Sequence, residues 1–429
     1  MTYNLISYKN NDDKKCWTVL NQSTGLTPLY SIIYSSLKLA KLAPSTQRRH
    51  MTAISQFYEY IQLKHNDSFE SYFSLQGLRG IISQMDGFSA YLDGGRKGVN
   101  IISLEDNAID VSTSRVRIED VFIFLNYLNN RYTTAQYNKS FTIQAIAREQ
   151  ISIGFLLRDK RNDLTSSASK RGAATVHEEY KSLTPFQCAA FLKIIYPSTL
   201  KKTNPLNPFS TEAVSFRNYM ICTLMLEYGL RRGEINLLET DSFKPSLHNI
   251  DGITTYYIVV TNCEDEESEE VEGRIKTIHS HRTLKITKLH YSYLCAYVNN
   301  YRKESNSSIL FLSSQKPKPL TLRMLNKIFE RITRVMHKHF PDITELKSIE
   351  YLSSCHPHQM RHTWAVAQLH DLVVEQGMSI TDAKDLLRIN GGWSIKSEMP
   401  DHYGRRFLAD QANAANLRHI FKEKNNASR

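Results

Sequence analysis

Four groups of residues in the second half of the chain suit a phosphate ester: an arginine in a turn, a lysine in a hairpin, a histidine close before an arginine, and a late tyrosine. The first group, Gly229-Leu230-Arg231-Arg232-Gly233-Glu234, sets an arginine in a turn directly after an apolar helical stretch. The second is Arg274-Ile275-Lys276-Thr277, followed by Arg282, in an expected hairpin. The third is His358-Gln359-Met360-Arg361-His362-Thr363. There His358 and Arg361 stand three apart at a helix start, a spacing that turns both the same way. The fourth is Gly391-Gly392-Trp393-Ser394, with Tyr403 after a short stretch as the only tyrosine beyond Tyr351.

These residue types suit transesterification at a phosphodiester. The diester's negative charge repels nucleophiles, and the phosphorane gathers more charge on its non-bridging oxygens. Two guanidiniums can bind those oxygens as forks and stay charged at any working pH. Removing one such preorganised donor costs about 100- to 1,000-fold in rate. A clamp of this kind can replace a metal ion, so no metal is expected. A phenol, with a pKa of about 10, must lose its proton as it attacks. The leaving alkoxide needs a proton donor, which an ammonium on a hairpin can supply. A tyrosyl phosphate keeps the energy of the broken bond, so rejoining needs no ATP. The sequence has no G-x-x-x-x-G-K-[ST] loop, and no cofactor is expected.

Plainer readings stand beside these. Arg231 could be a solvated arginine like its neighbour Arg232; its spacing to Gly229 and Glu234 favours it. Lys285 and Lys288 lie near Lys276, whose fit rests on Thr277, Ser280 and Arg282 downstream. His358 alone could cap a helix, and Trp393 could be a core aromatic. Cys355, His356 and His358 are close together, but Pro357 separates the histidines and no second cluster completes a metal site.

Taken in order, these motifs resemble the tyrosine recombinase and phage integrase family. Its hallmarks are an arginine in a G-L-R-x-x-E box, a lysine in a β-hairpin, an H-x-x-R box, a histidine or tryptophan after a glycine, and a late tyrosine. The resemblance spans residues 183–410. It implies that Tyr403 is the nucleophile and that Arg231 and Arg361 grip the scissile phosphate. It makes Lys276 the general acid, His358 an aid to proton transfer and phosphate positioning, and Trp393 the occupant of the second histidine's place. Glu234 would support the first box. The family reading further implies a site-specific recombinase acting on double-stranded DNA as a homotetramer, through a 3′-phosphotyrosine and a Holliday junction. Accessory DNA-bending proteins, integration or excision of a mobile element, and a cytoplasmic, nucleoid-associated place in a bacterial or mobile-element setting go with it. Two competitors remain: a type IB topoisomerase, and a DNA-binding regulator that kept the fold without the chemistry. Two departures stand out. The gap from Trp393 to Tyr403 is one residue longer than the family's, and an acidic run, Glu264 to Glu270, precedes Lys276.

The elements that must position these groups are legible in outline. The chain has 429 residues, 41% hydrophobic and 23% charged, enough for two or three domains. A net charge of +11 points to a polyanionic partner, with DNA, RNA and anionic membrane as candidates, against the plainer reading of a basic protein without one. No apolar run of membrane-spanning length and no secretory pattern occur, so a membrane partner is not expected. No C-x-x-C pair occurs among the six cysteines, and Cys188, Cys222 and Cys295 read as reduced core residues.

The expected fold is mainly α with a small antiparallel β-sheet, built as a helical core-binding domain and a catalytic domain forming a C-shaped clamp. The expected divisions are an N-terminal extension at 1–40, a helical DNA-binding domain at 41–158, a polar linker at 159–182 and a catalytic domain at 183–429. Helices are expected from Pro44, over Val116–Leu128 and over Ile143–Leu157. Further helices are expected over Thr211–Tyr228 up to a cap at Gly229, Leu320–His337, His358 to Gly377, from Thr381, and over Phe407–Lys422. Strands are expected at Thr254–Thr261 and on both sides of His279–His281. A basic loop, Gly94 to Gly98, is either a solvated turn or a phosphate contact. The first 40 residues are either an arm or a packing segment.

Overall fold

The computed structural model describes residues 2–10, 13–93, 111–136, 142–172, 182–197, 203–246, 254–261, 281–344 and 351–427. The Gly94–Gly98 loop, the acidic run and Lys276 lie outside them. The chain divides into two compact units, Met1–Val176 and His177–Arg429, both mostly helical. Among the described residues, no helix is long and apolar enough to cross a membrane.

The first unit opens on a β-hairpin, β1 (Tyr3–Lys9) against β2 (Lys15–Asn21), antiparallel from Tyr3↔Asn21 to Lys9↔Lys15. Helices α1 (Leu29–Tyr34), α2 (Pro44–His65), α3 (Phe69–Ile82), α4 (Met85–Leu92), α5 (Val111–Gln136) and α6 (Ile143–Gly172) follow. Pro44 sits in the first turn of α2, where its missing N–H costs nothing. The first residues are a packing segment. The backbone N–H groups of Thr2 and Tyr3 donate to the Glu59 carboxylate of α2 at 2.7 and 3.0 Å, and Tyr3 stacks edge-on against Tyr58. Arg49 of α2 forks onto the buried Asp120 of α5, both bonds at 2.9 Å. Asn129 and Gln150 exchange amide-to-carbonyl bonds that pin α5 to α6.

The expected linker at 159–182 differs in its first part, which continues α6 as far as Gly172. Lys160 pairs with Asp86, Arg161 with Glu119 at 2.6 Å, and Leu164 packs on the unit's core. These tertiary contacts hold a helix where polar composition suggested a loop.

The second unit contains α7 (Pro185–Ile195), α8 (Glu212–Glu227), α9 (Arg232–Leu237), β3 (Phe243–Pro245), β4 (Tyr256–Val260), β5 (Arg282–Ile286), α10 (Lys288–Ala296), α11 (Leu322–His339), α12 (Pro357–His370), α13 (Ile380–Asn390) and α14 (Met399–Ala427). The three strands form one antiparallel sheet in the order β3-β4-β5, with Ile258 of β4 opposite Phe243 and Leu284. One core joins α7, α8, the sheet and the apolar stripe of α11. A second, smaller core joins α12, α13 and α14 through Trp364, Leu369, Leu387, Tyr403 and Phe407. Cys222 is buried, whereas Cys188, at the core's edge, and Cys295 are only partly so.

Helix α12 runs on as a wider turn over Asp371–Glu375, closed by Gln376 N–H to the Asp371 carbonyl at 3.0 Å. The last helix starts eight residues earlier than the sequence suggests, at Met399 instead of Phe407. Pro400 stands in its first turn, where proline is tolerated. Tyr403 therefore lies on a helix, and the longer gap after Trp393 is partly helical.

Candidate active site

The site is built on helix ends. Thr211 caps α8 by accepting from the Val214 N–H, and the helix buries nearly all of its length. It stops at Gly229, whose φ of +65° L side chains rarely adopt. A Cβ there would also lie 2.3 Å from the Trp364 ring. The turn delivers Arg231 to the position before α9, and Glu234 in the first turn reaches back to the Arg231 N–H at 2.8 Å. The same carboxylate accepts from the Arg231 guanidinium. From β5, Arg282 forks onto Glu234, with both bonds at 3.0 Å.

Glu234 is thus a buried carboxylate, 3% exposed, ringed by guanidiniums. Burial alone would raise its pKa. Arg282 first, then Arg231 and Arg361, outweigh burial and hold it at about 2.

Helix α12 supplies the second arginine. His356 caps it, its Nδ1 accepting from the Gln359 N–H at 3.2 Å, and Pro357 fills the first turn. The capping histidine is therefore His356, not His358. Arg361 is 1% exposed. Its Nη1 donates to the Gly229 carbonyl and its Nη2 to the Gly391 carbonyl. Burial and Arg231 push its pKa down, opposed by Glu234.

The third helix end belongs to α13. Gly392 takes φ +61°, Trp393 N–H returns to the Arg388 carbonyl at 3.0 Å, and Gly392 N–H returns to Ile389. This cap folds Trp393 back over the arginines. The Arg361 carbon Cζ lies 4.2 Å from the Trp393 ring centroid, and that of Arg231 lies 5.8 Å away. Cation and ring attract at such distances. The last carbonyls of a helix lack intrahelical donors and carry its negative dipole end. Here they meet arginines: Asn390 meets Arg282 at 2.8 Å, Gly391 meets Arg361, and Gly392 meets Arg231 at 3.2 Å.

Tyr403 closes the group from α14. Its ring lies 5.3 Å from Trp393 and 4.6 Å from His362. It is 2% exposed, and its hydroxyl is buried without a hydrogen-bond partner among the described residues. Burial raises the phenol's pKa, while Arg361 and then Arg231 pull it down.

Of the expected site residues, Arg231, Arg361, Trp393 and Tyr403 gather in one place. His358 is one ring removed: it is exposed and meets His362 edge-on at 4.6 Å, and His362 in turn meets Tyr403. Lys276 lies outside the described residues. Two neighbours of Tyr403 escaped the sequence reading, His362 and His402, whose ring lies 5.8 Å from the tyrosine's. His362 stood inside the H-x-x-R-H motif, so its signal was present but unassigned. Arg282 was noticed without a role.

Chemically, Glu234 neutralises one of the guanidiniums of Arg231, Arg282 and Arg361. The remaining positive charge sits beside a phenol that is 2% exposed. Such a place attracts a phosphate anion and lowers the cost of a phenolate. An incoming phosphate can reach a phenol this buried only if covering residues move aside.

No family model matches the chain, and no curated protein is significantly similar to it. Among solved structures, the chain is similar to the Tn1549 transposon integrase in complex with transposon right end DNA. The identity is 16%, over 85% of this chain and 98% of that one, with a TM-score of 0.41. The same integrase with circular intermediate DNA gives 15% identity over 85% and 99%, with a TM-score of 0.39. The XerA recombinase gives 13% identity over 91% and 95%, with a TM-score of 0.32.

Proposed function

We propose that this chain is a tyrosine-type site-specific DNA recombinase that cleaves and rejoins DNA through Tyr403. One observation carries the reading: two arginines that lie 130 residues apart in sequence and one late tyrosine surround a single indole, Trp393. The net charge of +11 supports a DNA partner.

In this reading, the free N–H groups of Arg231 and Arg361 hold the two non-bridging oxygens of the scissile phosphate. The Tyr403 oxygen attacks phosphorus and forms the O–P bond of a 3′-phosphotyrosine, as the bond to the 5′-oxygen breaks. The phenol proton leaves toward the His358–His362 side of the pocket. Lys276 protonates the departing 5′-oxygen, leaving a free 5′-hydroxyl. A 5′-hydroxyl from a second duplex then attacks the phosphotyrosine and restores a phosphodiester. Four protomers on two synapsed sites would carry out paired exchanges through a Holliday junction, with DNA-bending proteins as helpers. Movement of a mobile genetic element is the biology that suits such chemistry.

A duplex nicked just beyond the cleavage point tests the reaction, because the short leaving strand diffuses away and traps the covalent complex. The expected result is a protein–DNA band resistant to denaturant that Tyr403→Phe abolishes. Absence of that band across substrates cleaved by no other route would leave a DNA-binding regulator. Relaxation of a supercoiled plasmid lacking paired sites would favour a topoisomerase.

A further inference from the structure

We infer that Arg282 is a positioning residue of this site: by holding Glu234 and the Asn390 carbonyl at once, it sets Arg231 and the end of α13 around the phosphate. The inference rests on the reading of the site given above and assigns a role to a residue outside its catalytic set.

The geometry separates Arg282 from the other two arginines. Its Nη1 and Nη2 both go to Glu234, and its Nε goes to the Asn390 carbonyl. Its side chain is 6% exposed. All three nitrogens of its fork are thus committed to the protein, so it grips the site and not the substrate. Arg231, by contrast, is about one-third exposed.

What Arg282 holds is decisive for Arg231. Glu234 receives Arg231 through two bonds, one from the backbone N–H and one from the guanidinium. A carboxylate buried to this degree stays ionised only if cations face it. Those facing Glu234 are Arg282 of β5, Arg231 before α9 and Arg361 of α12, with Arg282 contributing most. Without Arg282, the carboxyl takes up a proton in mildly acidic solution and loses acceptor capacity, and Arg231 loses its fixed direction. The Asn390 carbonyl also loses its donor, next to the Gly391 and Gly392 carbonyls that hold Arg361 and Arg231. Three arginines on three successive carbonyls therefore form one unit, and Arg282 is the member that never needs to let go for substrate.

The test uses the full chain with Arg282→Gln, Arg282→Lys and the double change Glu234→Gln/Arg282→Gln. The first readout needs no DNA: the carboxyl ¹³C signal of Glu234, assigned by its loss in Glu234→Gln, is followed from pH 4 to 7. In the parent it stays ionised throughout. In Arg282→Gln the midpoint rises from about 2 to above the ordinary 4.5. Arg282→Lys supplies a charge without the fork and keeps the carboxyl ionised.

The second readout is covalent-complex formation on the nicked duplex. Loss of a residue that orients a contacting group costs about 10- to 100-fold in rate, with DNA affinity changed little. The ratio of variant to parent rate falls further as pH drops, whereas a merely structural pair gives a constant ratio. Arg282→Lys recovers part of the rate. In the Glu234→Gln background, adding Arg282→Gln changes little, since its partner is already gone.

An unshifted carboxyl signal in Arg282→Gln overturns the inference whether or not the protein cleaves DNA. So does a full parental rate. Should Arg282→Gln fail to fold, the lysine variant and the double variant decide by the same two readouts. If the parent cleaves nothing, the reaction falls, while the carboxyl titration still judges what Arg282 holds.

Discussion

Replacing Glu234 by glutamine removes a buried anion from among three guanidiniums while keeping its size. The carboxylate is held at about 2 against an ordinary 4.5. A depression of that size corresponds to about 3 kcal/mol of folding stability at neutral pH. The sign follows from the direction of the shift. A carboxyl whose folded pKa is depressed stabilises the fold fully above the unfolded value, and the effect fades as pH falls toward the folded value. The parent should therefore exceed Glu234→Gln by about 3 kcal/mol near pH 7, by roughly half as much near pH 3, and hardly at all near pH 2. Urea unfolding followed by tryptophan emission reads this. Trp364 and Trp393 report on the second unit, and changing Trp17 to phenylalanine silences the first. A difference under 1 kcal/mol at pH 7, or one that does not shrink between pH 6 and 3, would refute the reasoning.

Gly229→Ala combines a positive φ with a Cβ 2.3 Å from Trp364, so it should lower stability by about 3 kcal/mol or more. Thermal melting checks it; an unchanged midpoint contradicts the turn. Arg361→Lys cannot donate to both the Gly229 and Gly391 carbonyls and still present a fork. Its cleavage rate should fall about 100- to 1,000-fold, measured by trapping on nicked DNA. Tyr403→Phe deletes a buried hydroxyl without a partner among the described residues. Its unfolding free energy should stay within about 1 kcal/mol of the parent, while cleavage vanishes; a large destabilisation would mean that the hydroxyl holds the fold.

Helical periodicity made α11 readable, because it buries a stripe that local sequence displays, whereas α2 and α8 are buried on most sides and were marked by Pro44 at the start of one and Gly229 after the other. Gly229 was readable as a cap because a positive φ has few residue solutions. What escaped depends on contacts between distant residues. Polar residues 159–172 read as a linker, yet Lys160 and Arg161 find acids far away in sequence and extend α6. The true start of α14 at Met399 precedes the expected Phe407, in a stretch that carries a proline in its first turn. In the site, Arg231, Arg361, Trp393 and Tyr403 were legible through the family resemblance of their motifs. The Glu234–Arg282 pair and the carbonyl row at 390–392 could not, because backbone acceptors leave no mark in residue identity.

The most direct measurement is the identity of the residue bonded to DNA. Trapped complex is digested with nuclease and trypsin, and the modified peptide is sequenced by mass spectrometry. The site described here requires the added nucleotide phosphate on Tyr403. A linkage to any other residue, or an unmodified Tyr403 peptide from complex that survives denaturant, would contradict it.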